Sequence, residues 1–267
     1  MFKHILRKKE IVLDCFTTES QVFDYCKIKS GKQQLPDWWK NTPKDSPPTS
    51  GQDWNVPSIR ACKGIKDYYD TSIMFPLWTD FNLELLHKGS ENFYRWSSVD
   101  PKFDTNGSHH RIGTEKFCKS DGFTLKFTSP WLFKCNSDVN FLMSQPTWHD
   151  RVLTDNLVVL PGVLNFKYQH GTNINFFLRN YTHSRTINIP AFTPLAMLHP
   201  LTEDKVVVQN HLIDESEAKR LTGDLSIFKL NKTNSFYKLY NRRKKLYDDS
   251  EEIKIKTLHS SCPFKPK

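Results

Sequence analysis

The chain consists largely of short apolar segments of strand length that alternate with turn-forming residues. The 10 glycines and 15 prolines supply most of the breaks between these segments. Strands are predicted at 11–16, 72–78, 82–86, 92–98, 123–129, 131–135, 140–145, 156–160, 172–180, 185–189, 194–198 and 206–210. Short strands at this spacing are typical of all-β sandwiches and barrels. The sequence therefore predicts a mainly β fold, an antiparallel β-sandwich of the jelly-roll-like kind.

Two regions depart from the strand pattern. Segment 41–57 (NTPKDSPPTSGQDWNVP) is rich in Pro, Ser and Thr and predicts an extended linker or wrapping arm. Segment 58–70 has apolar residues at near-helical spacing, and charge density rises after Asp214, so a helix is predicted in each. Asp214 or Ser216 would cap the second helix. The predicted organisation is an N-terminal strand and Pro-rich arm over 1–57, a β-sandwich core over 58–212 and a helical, basic C-terminal segment over 213–267.

The segment NIPAFTPLAMLHP, residues 188–200, is apolar yet contains three prolines. Proline cannot donate a hydrogen bond to a sheet ladder, so it is confined to strand ends, edges and bulges. We predict that Pro190 ends one strand, Pro194 opens the next and Pro200 closes it. Apolar residues on both faces of this second strand indicate that it is covered on both sides, by the opposing sheet and by the C-terminal helix or a partner.

The charge balance is basic, with a formal net charge of +9 and a pI near 9.1. Basic residues cluster near the N-terminus and again at Arg242, Arg243, Lys244 and Lys245. These clusters predict weak contact with nucleic acid or with another acidic partner. No apolar run of about 18 residues occurs, so no membrane span is expected. The six cysteines lie far apart, which indicates reduced thiols in a cytosolic setting.

Three tryptophans are candidate partner-binding residues. Trp38 and Trp39 are adjacent in LPDWWKNTPK, and Trp54 lies in the Pro-rich segment. Tryptophan is enriched among interface hot spots, so these rings could anchor in the pocket of a partner. The alternative is that Trp38 and Trp39 cover a sheet edge of their own domain.

Catalytic motifs are scarce in the sequence. It contains no G-x-S-x-G, G-x-x-x-x-G-K-[ST] or G-x-G-x-x-G segment, which excludes the P-loop and Rossmann classes. A cupin-like jelly roll binds iron or zinc through histidines and a carboxylate. The candidate ligands for such a site are His109, His110, His149, Asp150 and His170. The preferred prediction is that the protein has no cofactor, with iron or zinc as the alternative.

The segments LPGVLNFKYQHG (160–171), NFFLRNYT (175–182) and INIPAFTPLAMLHP (187–200) form an ordered set. This order resembles the third motif and the following strands of the trimeric dUTPase and dCTP deaminase superfamily. The catalytic Asp of that superfamily corresponds to Asn165, whose neutral amide cannot act as a general base. The Gly of the later turn corresponds to Phe192 or Thr193. The resemblance therefore implies a shared shape without the dUTPase chemistry.

A second resemblance spans more of the chain. It rests on the ordered motifs IVLDCFT, LPDWWKNTPK, SIRACKGIKDYYDTSIMFPLWTD, SPWLFKC, VLPGVLNFKYQHGTNINFF and IPAFTPLAMLHPLTE. Together they resemble an uncharacterised protein family of marine T4-like bacteriophages of the cyanophage type. The resemblance implies a viral protein in the virion or the host cytoplasm.

Two classes of function follow from these observations. The preferred class is a non-enzymatic bacteriophage structural or accessory protein that is virion-associated. Such a protein acts through contacts with other phage proteins or through self-association. The alternative is a jelly-roll enzyme, either metal-dependent and cupin-like or dUTPase-like and nucleotide-directed.

Overall fold

The computed structural model describes residues 10–48, 50–51, 53–89, 91–100, 124–149, 151–179, 181–222, 240–241 and 244. In chain order the strands are β1 (Ile11–Thr17), β2 (Lys29–Ser30), β3 (Asp45–Ser46), β4 (Val56–Pro57), β5 (Ile73–Pro76), β6 (Phe81–Lys88), β7 (Glu91–Ser98), β8 (Thr124–Cys135), β9 (Asn140–Ser144), β10 (Leu157–Val159), β11 (Gly162–Asn165), β12 (Gly171–Leu178), β13 (Arg185–Ile189), β14 (Pro194–Pro200) and β15 (Val206–Leu212). The helices are α1 (Ser20–Tyr25), α2 (Asp37–Asn41), α3 (Lys63–Asp70), α4 (Arg151–Asn156) and α5 (Glu215–Thr222). Two 3-10 turns lie at Gly31–Gln34 and Ile59–Ala61.

Two five-stranded sheets make up the body of the protein. The first sheet has the order β10-β12-β8-β1-β15, and the second has the order β11-β9-β14-β5-β2. Paired strands within both sheets are antiparallel, except that β1 runs parallel to β15. The N-terminal strand β1 therefore lies inside the first sheet, between β8 and β15.

A series of phenylalanines joins the inner faces of the two sheets. The ring of Phe75 on β5 lies 5.1 Å from that of Phe133 on β8, which lies 4.7 Å from the ring of Phe166. Phe166 in turn lies 5.2 Å from Phe141 on β9. All four rings are fully buried. Because rings from both sheets meet in one core, the predicted mainly antiparallel β-sandwich is confirmed.

A third sheet, with the order β13-β6-β7, packs on the same core. Phe81 at the start of β6 lies 4.9 Å from Phe127 on β8, and Phe127 lies 5.0 Å from Phe176 on β12. Strand β13 leads directly into the turn that precedes β14. The third sheet thus fixes one end of that turn, and the second sheet fixes the other.

Strand β14 is buried on both faces, as its double-sided apolar pattern predicts. Ala196 and Leu198 face the main core, whereas Met197 joins a separate cluster with Trp39 of α2, Tyr69 of α3 and Met74 of β5. The predicted second cover, the C-terminal helix or a partner, is wrong. Helices α2 and α3 form it, because their aromatic residues pack on the outer face of the second sheet.

The C-terminal helix α5 instead covers the outer face of the first sheet. Its residues Ala218 and Leu221 cluster with Phe16 of β1. Asp214 caps the helix, since its Oδ1 accepts a 2.8 Å hydrogen bond from the amide of Glu217. Hydrogen bonds from Ser216 and Glu217 lower the pKa of Asp214. The predicted start of this helix is confirmed, and residues 223–239 lie outside the described part of the chain.

Candidate functional site

The turn between β13 and β14 has an unusual backbone conformation. The amide of Thr193 donates to the carbonyl of Pro190 over 3.3 Å, which closes a four-residue turn. Phe192, the third residue of this turn, has φ = +71°. Among the described non-glycine residues, it alone has a positive φ. A left-handed third residue is the mark of a type II turn, where glycine is preferred. For an L-residue this conformation costs about 1–2 kcal/mol.

Hydrogen bonds from outside the turn hold Phe192 in this conformation. Its amide donates to the carbonyl of Leu77 over 2.8 Å, and the amide of Leu77 donates to Thr193 over the same distance. The amide of Ala191 donates to Oδ1 of Asp80, again over 2.8 Å. The surrounding structure therefore imposes the left-handed backbone, a condition under which strained residues persist at functional sites.

The side chain of Phe192 points away from the core. It is 55% exposed, and Tyr25, at the end of α1, is 70% exposed. The two rings line the same two neighbouring clefts. We call this pair, Tyr25 and Phe192, the aromatic ridge. Exposed aromatic side chains that line a shared cleft mark interaction sites more often than isolated surface residues do.

The larger cleft beside the aromatic ridge has a volume of about 610 Å³. Trp78 and Val99 contribute apolar surface, and Glu19 and Asp100 contribute carboxylates. Its described lining includes no lysine or arginine. We call it the acidic cleft. Its composition suits an apolar side chain accompanied by a positive charge, because aromatic rings and carboxylates both attract cations.

The smaller cleft on the other side of the ridge has a volume of about 290 Å³. Lys27 and Lys29 line it together with Gln34 and Pro76, and the described lining includes no carboxylate. We call it the basic cleft. The ammonium of Lys27 also lies 4.6 Å from the centre of the Phe23 ring. The aromatic ridge therefore separates two clefts of opposite charge.

Cys26 lines the acidic cleft, but its thiol is directed inward. Its side chain is buried, and its Sγ lies 3.8 Å from the carbonyl oxygen of Trp78. Burial raises the pKa of this thiol, which keeps it protonated at neutral pH. The cleft thus has the features of a binding surface, and its cysteine lacks the thiolate that nucleophilic chemistry requires.

A third and larger cleft, of about 940 Å³, lies between β2 and β15. Charges of both signs are mixed along it, and two of its charged residues already have partners. Asp70 pairs with Lys66 at 3.1 Å, and Lys205 pairs with Glu10 at 2.8 Å. It lacks the combination of exposed aromatic residues and imposed backbone strain that distinguishes the aromatic ridge.

The three predicted partner-binding tryptophans occupy different environments. Trp39 is buried against Tyr69, with ring centres 5.7 Å apart, and covers its own sheet. Trp38 is partly exposed, and its Nε1 donates to the carbonyl of Trp148 over 2.8 Å. Trp54, next to β4, is 66% exposed. None of the three lines the clefts beside the aromatic ridge.

The predicted metal ligands are not brought together in the part of the chain that the structure describes. The ring of His149 donates to the carbonyl of Gln34, and the ring of His170 donates to that of Phe133, both over 2.7 Å. No group of three or more His, Cys, Asp or Glu residues is arranged to hold a metal there. His109, His110 and Asp150 lie outside the described residues.

Asn165, the residue predicted to correspond to the catalytic Asp of the dUTPase-like motif, lies in a closed hydrogen-bond network. Its Nδ2 donates to Asp138 over 2.7 Å and to Asn140 over 3.0 Å, and its Oδ1 accepts from the amide of Lys167 over 3.1 Å. The hydroxyl of Tyr168 donates to Asp138 over 3.0 Å. Because its polar atoms are already engaged, Asn165 shapes a turn and offers no free group to a substrate.

One residue of the predicted basic cluster contacts this network. Lys244 lies 5.7 Å from the ring centre of Tyr168, beside Tyr240, whose ring centre is 5.8 Å from that of Tyr168. The pKa of Asp138 is lowered mainly by the hydrogen bond from Asn165, and also by the charge of Lys244. Arg242, Arg243 and Lys245 lie outside the described residues. Contact of this cluster with nucleic acid stays a prediction.

Comparison of the sequence with models of known protein families gives no match, and comparison with curated proteins gives no similar sequence. Among the described residues, no helix has both the length and the apolar character needed to cross a membrane.

Sequence reasoning predicted neither residue of the aromatic ridge as a functional residue. The Gly of the dUTPase-like turn is predicted to correspond to Phe192 or Thr193, and of these two Phe192 has the backbone conformation of a glycine. Tyr25 carries no such signal, because α1 is a helix of only six residues that begins soon after β1. A single aromatic residue at the end of one helical turn cannot be distinguished by pattern from a core residue.

Proposed function

We propose that this protein is a non-enzymatic bacteriophage structural or accessory protein that binds a polypeptide partner across the aromatic ridge. Its place is the virion or the host cytoplasm, and its partners are other phage proteins. The ordered motifs shared with the family of marine T4-like bacteriophages support the viral context. The aromatic ridge supports binding as the mode of action.

The observation that carries the proposal is the conformation and exposure of Phe192. A glycine at this position would avoid the backbone strain, and an exposed phenylalanine recovers little of the cost by packing. Residues held in such conformations by their surroundings cluster at ligand clamps and active sites. A ring with this cost and this exposure is explained by a contact that forms only when a partner is bound.

The two clefts define the chemistry of the partner. An apolar or aromatic side chain would lie on the aromatic ridge, with a positive group in the acidic cleft and a negative group in the basic cleft. Complementary charges of this kind fix the direction in which an extended peptide binds. A peptide with the two charges exchanged would bind more weakly.

We also propose that the strands of the two sheets have a jelly-roll-like connectivity. From β8 to β12, successive strands alternate between the first and second sheets, and β14 and β15 do so again. Jelly rolls are double-sheet folds in which the chain crosses repeatedly between the sheets. Sandwich bodies of this type suit a virion protein, because the turns and loops that join their strands are free to contact neighbours.

The proposal is tested by a photo-cross-linking residue placed on the ridge. Benzoylphenylalanine in place of Tyr25 should yield a covalent adduct with a phage polypeptide when the protein is produced during infection. Adding Phe192→Gly should weaken the contact about 30-fold, the effect of losing an aromatic hot spot worth about 2 kcal/mol. Mass spectrometry of the adduct identifies the partner.

Val163 provides the matched control position, because it is also exposed, at 59%, and lies away from the ridge on β11. Benzoylphenylalanine at position 163 should give no specific adduct. Equal adduct formation at positions 25 and 163, or an adduct at position 25 that is unaffected by Phe192→Gly, would argue against a binding site at the ridge.

A further inference from the structure

A hairpin formed by strands β3 and β4 projects an exposed tryptophan. Asp45 pairs with Pro57, and Ser46 pairs with Val56. The hairpin is closed at its base by the amide of Ser58, which donates to the carbonyl of Lys44 over 2.8 Å. We call the described residues 44–48, 50–51 and 53–58 the Trp54 hairpin. Because its two arms are paired, it presents Trp54 from a defined position.

Arg60 fixes the base of the Trp54 hairpin to the body of the protein. Its Nη1 donates to the carbonyl of Lys40 over 2.8 Å and to that of Thr42 over 2.9 Å. Both carbonyls lie in or directly after α2, which packs on the second sheet through Trp39. The exposed indole is therefore carried on an anchored segment, which lowers the entropy lost when it binds.

Trp54 and the aromatic ridge are both exposed to solvent within one copy of the chain. Trp54 is 66% exposed while Phe192 is 55% and Tyr25 is 70% exposed, so the hairpin does not cover the ridge of its own molecule. A tryptophan can bury roughly 150–250 Å² in a contact, more than most other side chains. One chain thus carries both an exposed tryptophan that can insert into a partner and an exposed aromatic surface that can receive one.

The charges of the two surfaces are complementary. Asp45 and Asp53 on the Trp54 hairpin are exposed, and neither forms an ion pair with a described residue. Lys27 and Lys29 in the basic cleft likewise form no ion pair with a described residue. The Trp54 hairpin therefore carries charges opposite to those of the basic cleft.

We propose that the aromatic ridge of one copy binds the Trp54 hairpin of a second copy. This inference rests on the proposed function of the ridge and names its partner. Hairpin and ridge are different surfaces, so the contact is heterologous, and repeated contacts build rings or open chains. One hairpin gives an interface below about 1,200 Å², at the weak end of the range, so assembly depends on protein concentration.

The test uses two variants that each remove one side of the contact. Trp54→Ala retains the ridge and loses the hairpin anchor, whereas Phe192→Gly retains the hairpin and loses the ridge. In sedimentation velocity, the unmodified protein should form species larger than a dimer as its concentration rises. Each variant alone should associate about 30-fold or more weakly, as expected on loss of an aromatic hot spot.

The equimolar mixture of the two variants is the decisive sample. The hairpin of the Phe192→Gly copy can bind the ridge of the Trp54→Ala copy, and no further contact can form, so the mixture should stop at a 1:1 dimer. Leu201→Ala, which removes a side chain of similar exposure (56%) outside both clefts, should assemble like the unmodified protein.

Three results would overturn the inference: an unmodified protein that stays monomeric, a mixture that stays monomeric, or single variants that still assemble. These outcomes are distinguishable from failure of the proposed function. If benzoylphenylalanine at position 25 cross-links a different phage protein while the unmodified protein stays monomeric, the ridge binds a polypeptide, but that polypeptide is not a second copy.

Discussion

Gly31→Ala is expected to lower the free energy of unfolding by about 3 kcal/mol, the upper part of the range for overpacking a tight site. A Cβ on Gly31 would lie 2.0 Å from Oγ of Ser72 and 2.6 Å from the carbonyl oxygen of Tyr69. The Ser72 side chain is buried and bonded to Tyr69, so it has little room to move. The clash would separate β2 from β5 and loosen the cover over β14. Urea unfolding followed by circular dichroism measures the loss.

Gly64→Ala is the matched control for this substitution. Gly64 lies on the exposed side of α3, and the nearest atom to an added Cβ is Sγ of Cys62 at 3.9 Å. Because alanine is the better helix former, this variant should be more stable by about 1 kcal/mol. If Gly31→Ala proved as stable as the unmodified protein, the close packing of Gly31 against Ser72 and Tyr69 would be wrong.

Asn165→Asp is expected to destabilise the protein by about 3 kcal/mol at neutral pH, the lower end for an uncompensated buried charge. Asn165 is only 6% exposed. The substitution replaces the donor to Asp138 with an oxygen and leaves two carboxylates within hydrogen-bonding distance, here 2.7 Å. It also removes the donor to Asn140. The substitution therefore places a second carboxylate in a network that requires an amide.

The defect of Asn165→Asp should shrink as the pH falls. Burial and Asp138 would raise the pKa of the new carboxyl in the folded state, so its penalty is absent below the unfolded pKa of about 3.9 and grows as the pH rises from there to the raised folded pKa. In the unmodified protein, Asn165 lowers the pKa of Asp138, which contributes stability above the unfolded pKa and loses it on acidification. Both effects reduce the difference in unfolding free energy between Asn165→Asp and the unmodified protein as the pH falls to about 4 and below.

Asn140→Asp is the control for the pH experiment. Asn140 is exposed and only accepts from Asn165, a role that a carboxylate can keep. Its stability should change by about 0.5 kcal/mol or less, as for most surface substitutions. A defect in Asn165→Asp that is equally large at pH 4 and pH 7 would show that lost packing, and not charge, is responsible.

The strands were largely predictable from the sequence, because period-two patterns and turn residues mark them locally. The predicted strand at 185–189 coincides with β13, and the role of Pro194 as the first residue of β14 is confirmed. The predicted segments 123–129 and 131–135 form the single strand β8. Pro130 lies in β8 at a position that is paired with neither β1 nor β12, so its lack of an N–H removes no hydrogen bond from the sheet.

Other features depend on contacts that no local pattern records. Helices α1, α2 and α4 are five or six residues long, too short to show helical periodicity. Their formation depends on packing, as with α2, whose Trp39 is buried over β14. Helices α2 and α3, and not the predicted C-terminal helix, cover β14 because the fold brings them to the outer face of the second sheet. Which surface an amphipathic segment covers is not determined by its own sequence.

The aromatic ridge was predictable only in part, because one of its features is marked in the local sequence and the others depend on the fold. The sequence predicts that PAFT joins two strands, and the dUTPase-like resemblance predicts a glycine position at Phe192 or Thr193. The backbone conformation of Phe192 and its proximity to Tyr25 require the fold, because α1 and the β13–β14 turn are far apart in the chain. Phe192 is therefore a position at which the residue type disfavours the backbone conformation that the fold gives it.

We expect that Phe192 is kept for binding at the expense of stability, and the unfolding of two variants measures this. Phe192→Gly removes a strain of about 1–2 kcal/mol and adds a chain-entropy cost of about 0.5–1 kcal/mol. It should therefore be at least as stable as the unmodified protein. Phe192→Ala keeps the left-handed strain and should be less stable than Phe192→Gly by about 1 kcal/mol. A Phe192→Gly variant less stable than Phe192→Ala would show that the backbone at position 192 carries no left-handed strain and would contradict the retention of Phe192 for binding.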